Sequence, residues 1–213
     1  MPIQADIYRA LLLQKYGGIW FDADTIIGSE SVRDTIRNIQ GEVAFLGKPE
    51  STEVHAAFIF AEKAHAYIID KWVCELKKRV FFLRMRAFNI VGKIIHKMLI
   101  LIGAAPRCGW NYAFNGIMDF LIPKVNKRNV VHILDKDKYG CFPERELTYP
   151  DPKKQYMDFW FSSGDIDNID NIARGGIILL HNSWTPDKYR NMSESEFLSQ
   201  DIRLAHFLRK FNR

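Results

Sequence analysis

Two aspartates, Asp22 and Asp24, directly follow a short apolar run at residues 19–21. Two carboxylates at positions i and i+2 of a turning backbone can converge on one hard cation, and oxygen ligands of this sort suit Mg²⁺ or Mn²⁺. Such a cation would bridge a diphosphate and neutralise the charge that grows on a departing nucleotide. The same Asp-x-Asp pattern recurs at 135–137 and 165–167, where a solvated turn is the simpler interpretation.

Regular elements are predicted on both sides of this pair. The run 5–16 is predicted to form a helix, because Ile7, Leu11 and Leu12 fall on one face and no Gly or Pro interrupts it. Gly17 and Gly18 would supply a left-handed C-terminal cap, and residues 19–21 would form a buried strand. Further strands are predicted at 43–46, 130–134 and 177–180, and helices over most of 54–79, over 80–102 and over 110–122.

Short apolar strands that alternate with helices favour an α/β domain with a mostly parallel sheet. Ligands of such open sheets bind beyond the carboxyl ends of the strands, which is where Asp22 and Asp24 are predicted to lie. His181 follows the predicted strand 177–180, so it could supply a third metal ligand, and imidazole ligation would favour Mn²⁺ over Mg²⁺. The alternative for His181 is an ordinary capped strand end.

Composition bounds the class of protein. The 213 residues fit one domain, and an apolar fraction of 47% excludes a disordered chain. A net charge of +5 is compatible with nucleotide phosphates, a membrane surface or nucleic acid as partner. The three cysteines, Cys74, Cys108 and Cys141, form no Cys-x-x-Cys pair, which favours a reducing compartment and a cytoplasmic location.

A basic amphipathic segment is predicted at 79–102. Phe81, Met85, Phe88, Gly92, Ile95, Leu99 and Ile102 would share one helical face, and Arg79, Arg86, Asn89, Lys93 and His96 or Lys97 would form an opposing basic stripe. A long helix packed on the core is preferred to a helix lying on an anionic bilayer at the inner face of the membrane. Nucleic acid is set aside as a partner, because the stripe carries no interleaved aromatic residues and no nucleic-acid module is found.

The run Asp6-x-x-Arg9, Leu12, Tyr16-Gly17-Gly18-Ile19-Trp20-x-Asp22-x-Asp24 resembles the glycosyltransferase sugar-binding region that contains a DXD motif. Bacterial capsular polysaccharide synthesis enzymes, yeast initiation-specific mannosyltransferases and glucosylating clostridial toxins share that signature. The likeness covers residues 1 to about 30 well, the 177–190 region moderately and 54–122 loosely.

The resemblance implies a GT-A fold and retaining transfer of a sugar from a UDP- or GDP-linked donor to a glycan or lipid-linked acceptor, as in capsule or cell-surface polysaccharide synthesis. It implies that Asp24 binds the metal directly, that Asp22 contacts the metal and the ribose, and that Asp6 and Arg9 hold donor-sugar hydroxyls. Without the motif, Asp6 and Arg9 would be interpreted as a surface salt bridge.

Similar enzymes close a C-terminal segment over the diphosphate, which implies nucleotide contacts from Ser183, Trp184 and Lys188. A core aromatic is the alternative for Trp184. Family members carry a further half-domain before the Asp-x-x-Arg helix, so the chain is expected to be one GT-A-like domain over 1–213 that lacks the usual N-terminal strands. The competing hypothesis is an inactive glycosyltransferase relic that acts as a binding or scaffolding protein.

Overall fold

The computed structural model describes residues 2–27, 31–50, 53–105, 112–125, 130–135, 151–164 and 177–211. The chain divides into two compact units, and each is described by itself. The first unit comprises Met1–Asp22 and Asn38–Asp135, and the second comprises Ala23–Arg37 and Lys136–Arg213. A single domain over 1–213 stays a prediction.

Helices and strands are numbered here in chain order. Those up to residue 61 are α1 (Pro2–Tyr16), β1 (Gly18–Phe21), β2 (Thr25–Ile27), α2 (Ser31–Arg37), β3 (Val43–Lys48) and β4 (Glu53–Ala61). Those up to residue 135 are α3 (Tyr67–Phe88), α4 (Ile90–Leu101), α5 (Asn115–Leu121), a 3-10 turn (Ile122–Lys124) and β5 (Val131–Asp135). The remainder are α6 (Pro152–Trp160), β6 (Ile177–Leu179), a 3-10 turn (Asn182–Trp184), α7 (Asp187–Arg190), α8 (Glu194–Leu198) and α9 (Arg203–Phe211).

The first unit contains a four-stranded mixed sheet in the order β1-β4-β3-β5. β1 and β3 both pair antiparallel with β4, and only β3 and β5 run parallel. The α/β class is confirmed, but the prediction of a mostly parallel sheet is wrong. Only residues 49–52 separate β3 from β4, and such a short connection permits an antiparallel hairpin but not a parallel crossover.

The sequence pattern predicts a helix over most of 54–79, but residues 53–61 form β4. Its middle is a continuous buried run that includes Phe58 and Ile59, and periodicity alone does not separate such a strand from a buried helix. Strand β4 is central, with β1 paired to its residues 58–61 on one side and β3 on the other.

Helices α1, α3 and α5 pack on this sheet around one apolar core. Trp72 of α3 is fully buried, its ring lies 5.1 Å from that of Phe114, and its indole N–H donates to the Ala113 carbonyl at 2.8 Å. Ala10 and Leu13 bury the inner face of α1 in the same core. Burial of such side chains contributes about 1.5–3 kcal/mol each. The packing fixes α1 beside the sheet.

The turn from α1 into β1 requires glycine at position 17. Gly17 has φ of +65°, its N–H donates to the Leu13 carbonyl at 2.8 Å, and a Cβ there would lie 2.6 Å from the Lys63 carbonyl carbon. Gly18 also has positive φ, so the predicted left-handed cap is confirmed. The turn directs the chain at once into β1, whose last residue precedes Asp22.

Residues 80–102 do not form one helix, because the chain breaks at Asn89. This residue adopts extended backbone and caps α4, its side chain accepting a hydrogen bond from the Gly92 N–H at 2.8 Å. His96 is buried and does not belong to an exposed basic stripe, so that part of the predicted pattern is wrong. Within the described ranges, no helix combines the length and the apolar character needed to cross a bilayer.

The second unit is built on the antiparallel pair β2 and β6, in which Ile26 lies opposite Ile178. Tyr156 and Trp160 of α6, Ile178 and Phe207 of α9 form its apolar cluster. The predicted strand at 177–180 is confirmed as β6, those at 43–46 and 130–134 as β3 and β5, and the helix predicted over 110–122 is observed as α5. The Asp-x-Asp at 165–167, Asp137, Cys108 and Cys141 lie outside the described residues.

Candidate functional site

Asp6 and Arg9 lie on the inner face of α1, one helical turn apart. Only 9% of Asp6 and 6% of Arg9 is exposed, and the Arg9 Nε lies 3.6 Å from the Asp6 Oδ1. The surface salt bridge that was the alternative interpretation is therefore wrong. Burial of two charged groups costs free energy unless they are paired and hydrogen-bonded. The partners of Arg9 therefore determine how far this cost is offset.

The Arg9 guanidinium joins three parts of the first unit. One terminal nitrogen donates to the Ala56 carbonyl of β4 at 2.6 Å, and the other lies 3.1 Å from Asp22 Oδ1. The guanidinium also lies 5.2 Å from the centre of the Trp20 ring, a cation–π distance. A planar group with five donors suits several fixed acceptors, and lysine could not serve all of them.

Asp22 is held from two sides at the end of β1. The Trp20 indole N–H donates to Asp22 Oδ1 at 2.9 Å, the same oxygen that faces Arg9, and the Asp22 N–H donates to the Ala57 carbonyl at 3.0 Å. Its other carboxylate oxygen, Oδ2, has no hydrogen-bond donor among the residues that the structure describes. The Asp22 carboxylate is thus oriented through one oxygen.

Burial raises the pKa of Asp6 from 3.8 to about 6. The Arg9 charge opposes this rise, and the Asp22 carboxylate adds to it. One guanidinium therefore serves two carboxylates, and the cluster carries one excess negative charge when both are ionised. Strongly shifted carboxyl groups of this kind are common at functional sites, although structural ion-pair networks also produce them.

Asp24 lies in the second unit, immediately before β2. Its carbonyl accepts the Leu180 N–H at 2.9 Å, which continues the β2–β6 pairing, and its Oδ2 accepts the Asn182 N–H at 3.1 Å. The chain that follows β6 therefore fixes the Asp24 carboxylate, again through one oxygen. Residues 24 and 182 are far apart in the sequence, and the strand pair brings them together.

His181, Trp184 and Tyr156 form an aromatic cluster in the second unit. The His181 ring stacks on Trp184 with centroids 4.0 Å apart, and Tyr156 meets both rings edge-on at 5.6 and 5.5 Å. The Tyr156 hydroxyl accepts the His181 backbone N–H at 3.2 Å. Burial is the main cause that raises the pKa of Tyr156 to about 12; the hydrogen bond from the His181 N–H opposes the rise and the nearby Asp24 carboxylate adds to it, so the hydroxyl stays neutral.

Ser183 and Lys188 are exposed. The Ser183 carbonyl accepts a hydrogen bond from Arg190 at 2.9 Å. This contact restrains the backbone of the turn and not the Ser183 hydroxyl. The Lys188 ammonium lies 4.6 Å from the centre of the Tyr189 ring. Their assignment to the diphosphate, like that of Trp184, stays a prediction.

Asp22 and Asp24 are the predicted oxygen ligands of a metal. Within the described part of the chain, no three or more His, Cys, Asp and Glu residues form a group that could hold a metal ion. Mg²⁺ and similar ions are commonly held by one or two carboxylates, with waters and substrate phosphates filling the other positions. Asp22 in the first unit and Asp24 in the second unit each have a second carboxylate oxygen away from the hydrogen bonds described above, and a metal bound by both stays a prediction. His181 as third ligand stays a prediction.

Comparisons with family models, with curated proteins and with solved structures found no match to this chain.

Sequence reasoning missed two supporting residues. Trp20 was assigned no contact with Asp22. That contact could have been recognised, because side chains at i and i+2 share a strand face and an indole N–H can donate to a carboxylate. No local signal in the sequence pointed to Tyr156, which reaches His181 across the second unit.

Proposed function

We propose that this chain is a metal-dependent glycosyltransferase that moves a sugar from a UDP- or GDP-linked donor to a glycan or lipid-linked acceptor, with retention of anomeric configuration. The observation that carries the proposal is the buried Asp6–Arg9–Asp22 network at the end of β1. It joins three of the four charged residues of the Asp-x-x-Arg and Asp-x-Asp pattern whose spacing resembles the glycosyltransferase sugar-binding region.

In this proposal Asp22 and Asp24 hold Mn²⁺ or Mg²⁺. The bound ion would supply electrostatic stabilisation of the diphosphate as it departs. Each carboxylate is already oriented without the metal. Arg9 and Trp20 restrain Asp22, and the Asn182 N–H restrains Asp24. Fixed groups need no reorganisation when charge develops.

Asp6 and Arg9 have separable roles in the proposal. Ionised Asp6 accepts hydrogen bonds from donor-sugar hydroxyls. These bonds would stabilise the buried Asp6 carboxylate, which shares the Arg9 guanidinium with Asp22. Arg9 contacts the sugar only through the small part of its side chain that stays exposed, so most of its contribution is to position Asp22. No nucleophile is assigned.

Asp24→Asn tests the proposal. We expect loss of Mn²⁺-stimulated hydrolysis of the nucleotide sugar by about 100-fold or more, because an amide is a weaker metal ligand and even outer-shell changes cost 10–100-fold. The amide keeps an oxygen that can accept the Asn182 N–H, so the fold should be retained. Asp34→Asn is the matched control, since the Asp34 side chain is well exposed in the same unit.

Calorimetry with UDP or GDP, with and without Mn²⁺, separates the enzyme from an inactive binding protein. Metal-dependent nucleotide binding that Asp24→Asn removes supports the proposal. Wild-type protein that binds neither nucleotide in the presence of Mn²⁺ contradicts it, and so does Asp24→Asn protein that hydrolyses the donor as fast as wild type.

A further inference from the structure

Helices α3 and α4 form an antiparallel hairpin in the first unit. A Cβ on Gly92 would lie 1.9 Å from the Met85 carbonyl oxygen, and the rings of Phe82 and His96 lie 5.9 Å apart. From the first contact to the second, the residue number falls on α3 and rises on α4. The two helices are therefore antiparallel and the chain folds back at Asn89. Each helix therefore has one face covered by its partner.

The outer face of α4 is apolar and exposed. Its members are Ile90, Val91, Ile94, Ile95, Met98 and Leu101, and Ile90 and Leu101 are 73% and 84% exposed. At about 100° per residue these side chains fall within an arc of about 140°, whereas Gly92 and His96 point the other way. Phe88, 87% exposed, continues this face at the tip of the hairpin. We call this surface the hairpin face.

The charges beside the hairpin face all have one sign. Between residues 76 and 105 the chain carries no aspartate or glutamate. Arg84, Arg86, Lys93 and Lys97 are exposed, and none of these four forms an ion pair within the part of the chain that the structure describes. Lys93 and Lys97 are one turn apart at one edge of the apolar arc, which places cations along the border of the hairpin face.

The geometry points to an anionic lipid bilayer as the occupant of the hairpin face, with α4 lying in the plane of the interface. Apolar side chains would enter the acyl region, while the lysines extend to the headgroups. With 12 residues, α4 is about 18 Å long and too short to span about 30 Å of hydrocarbon, so it lies on the membrane.

Charge decides against a second copy of this chain as the occupant. In a two-fold symmetric contact the same surface of both copies takes part, so a basic border would meet a surface that is itself basic. Such like-charge contacts oppose association, whereas anionic headgroups complement them. The inference is independent of the proposed function, because membrane binding requires neither donor nor metal.

Co-sedimentation with vesicles tests the inference with the full chain. We expect binding to vesicles that contain phosphatidylserine, weak binding to phosphatidylcholine alone, and release at high salt. Lys93→Gln with Lys97→Gln should weaken binding by about 25-fold, at about fivefold for each charge removed. Ile94→Asp with Met98→Asp should weaken it by at least about tenfold.

Matched controls change the same chemistry elsewhere. Lys153→Gln with Lys154→Gln alters two exposed lysines of α6, and Phe120→Asp alters a half-exposed aromatic of α5. Both should retain binding within about twofold. The inference is overturned if wild type does not bind phosphatidylserine vesicles at low salt, or if hairpin and control variants lose binding equally. It is also overturned if Ile94→Asp with Met98→Asp converts a dimer into a monomer without changing vesicle binding.

Discussion

Replacing Asp6 by asparagine should stabilise the first unit at neutral pH, although it removes a charged partner of Arg9. The pKa of Asp6 is about 6 in the folded chain and 3.8 as an unperturbed side chain. The folded state therefore holds the proton more tightly, and ionising Asp6 costs the fold free energy. The difference corresponds to about 3 kcal/mol, since one pKa unit is about 1.4 kcal/mol.

Because the pKa of Asp6 is raised in the folded chain, the free energy of unfolding should depend on pH in a distinct way. Below pH 3.8 the carboxyl is protonated in both states and contributes its full stability, and this contribution is lost as the pH rises through about 6. Asparagine does not titrate, so its profile lacks that loss. The two proteins should be similarly stable at low pH, and Asp6→Asn should be about 3 kcal/mol more stable at pH 7.5.

Hydrogen exchange of the amides in α1, β1 and β4 measures this effect in the unit that contains Asp6. The difference between the wild-type and Asp6→Asn profiles removes the titration of all other groups. Asp119→Asn is the matched control, because Asp119 is exposed in the same unit. The reasoning is refuted if Asp6→Asn is less stable than wild type at pH 7.5, or if the difference profile is flat between pH 4 and 7.

Two further substitutions test the packing around this network and in the hairpin. Arg9→Met should destabilise the first unit by about 3 kcal/mol, because it leaves buried Asp6 and partly buried Asp22 without a cation; unchanged exchange in β1 would contradict this. Gly92→Ala should cost about 2 kcal/mol, measured as a lower melting temperature, because its Cβ would meet the Met85 carbonyl. An unchanged melting temperature in Gly92→Ala would contradict this.

The local features near the Asp-x-Asp pair could be predicted from the sequence because short-range rules determine them. The helix before Gly17, the left-handed turn and the strand before Asp22 each depend on residues within one or two turns. Asn89 offered a similar signal, since asparagine is a strong N-cap, but the apolar period continued through it and masked the break.

Long-range pairing could not be predicted in the same way. Strand β2 has three residues and no pattern of its own, and it forms only because it pairs with β6, about 150 residues later in the chain. The hydrogen bond from the Asn182 N–H to Asp24 depends on that pairing. The identity of β4 as a strand was likewise settled by neighbours on both sides rather than by its alanines.

The Asp6–Arg9–Asp22 network buries more negative than positive charge, and stability alone does not account for this. Apolar residues of similar volume often stabilise a fold as well as or better than a buried ionic group, so stability alone gives little reason for this one. With one guanidinium for two carboxylates, the cluster keeps an excess negative charge that costs the fold free energy above pH 6. A cation or hydroxyl donors placed against Asp22 and Asp6 would reduce that cost on binding. An excess negative charge that destabilises the free chain is therefore what we would expect of a site whose charge is neutralised only when a metal and a nucleotide sugar bind.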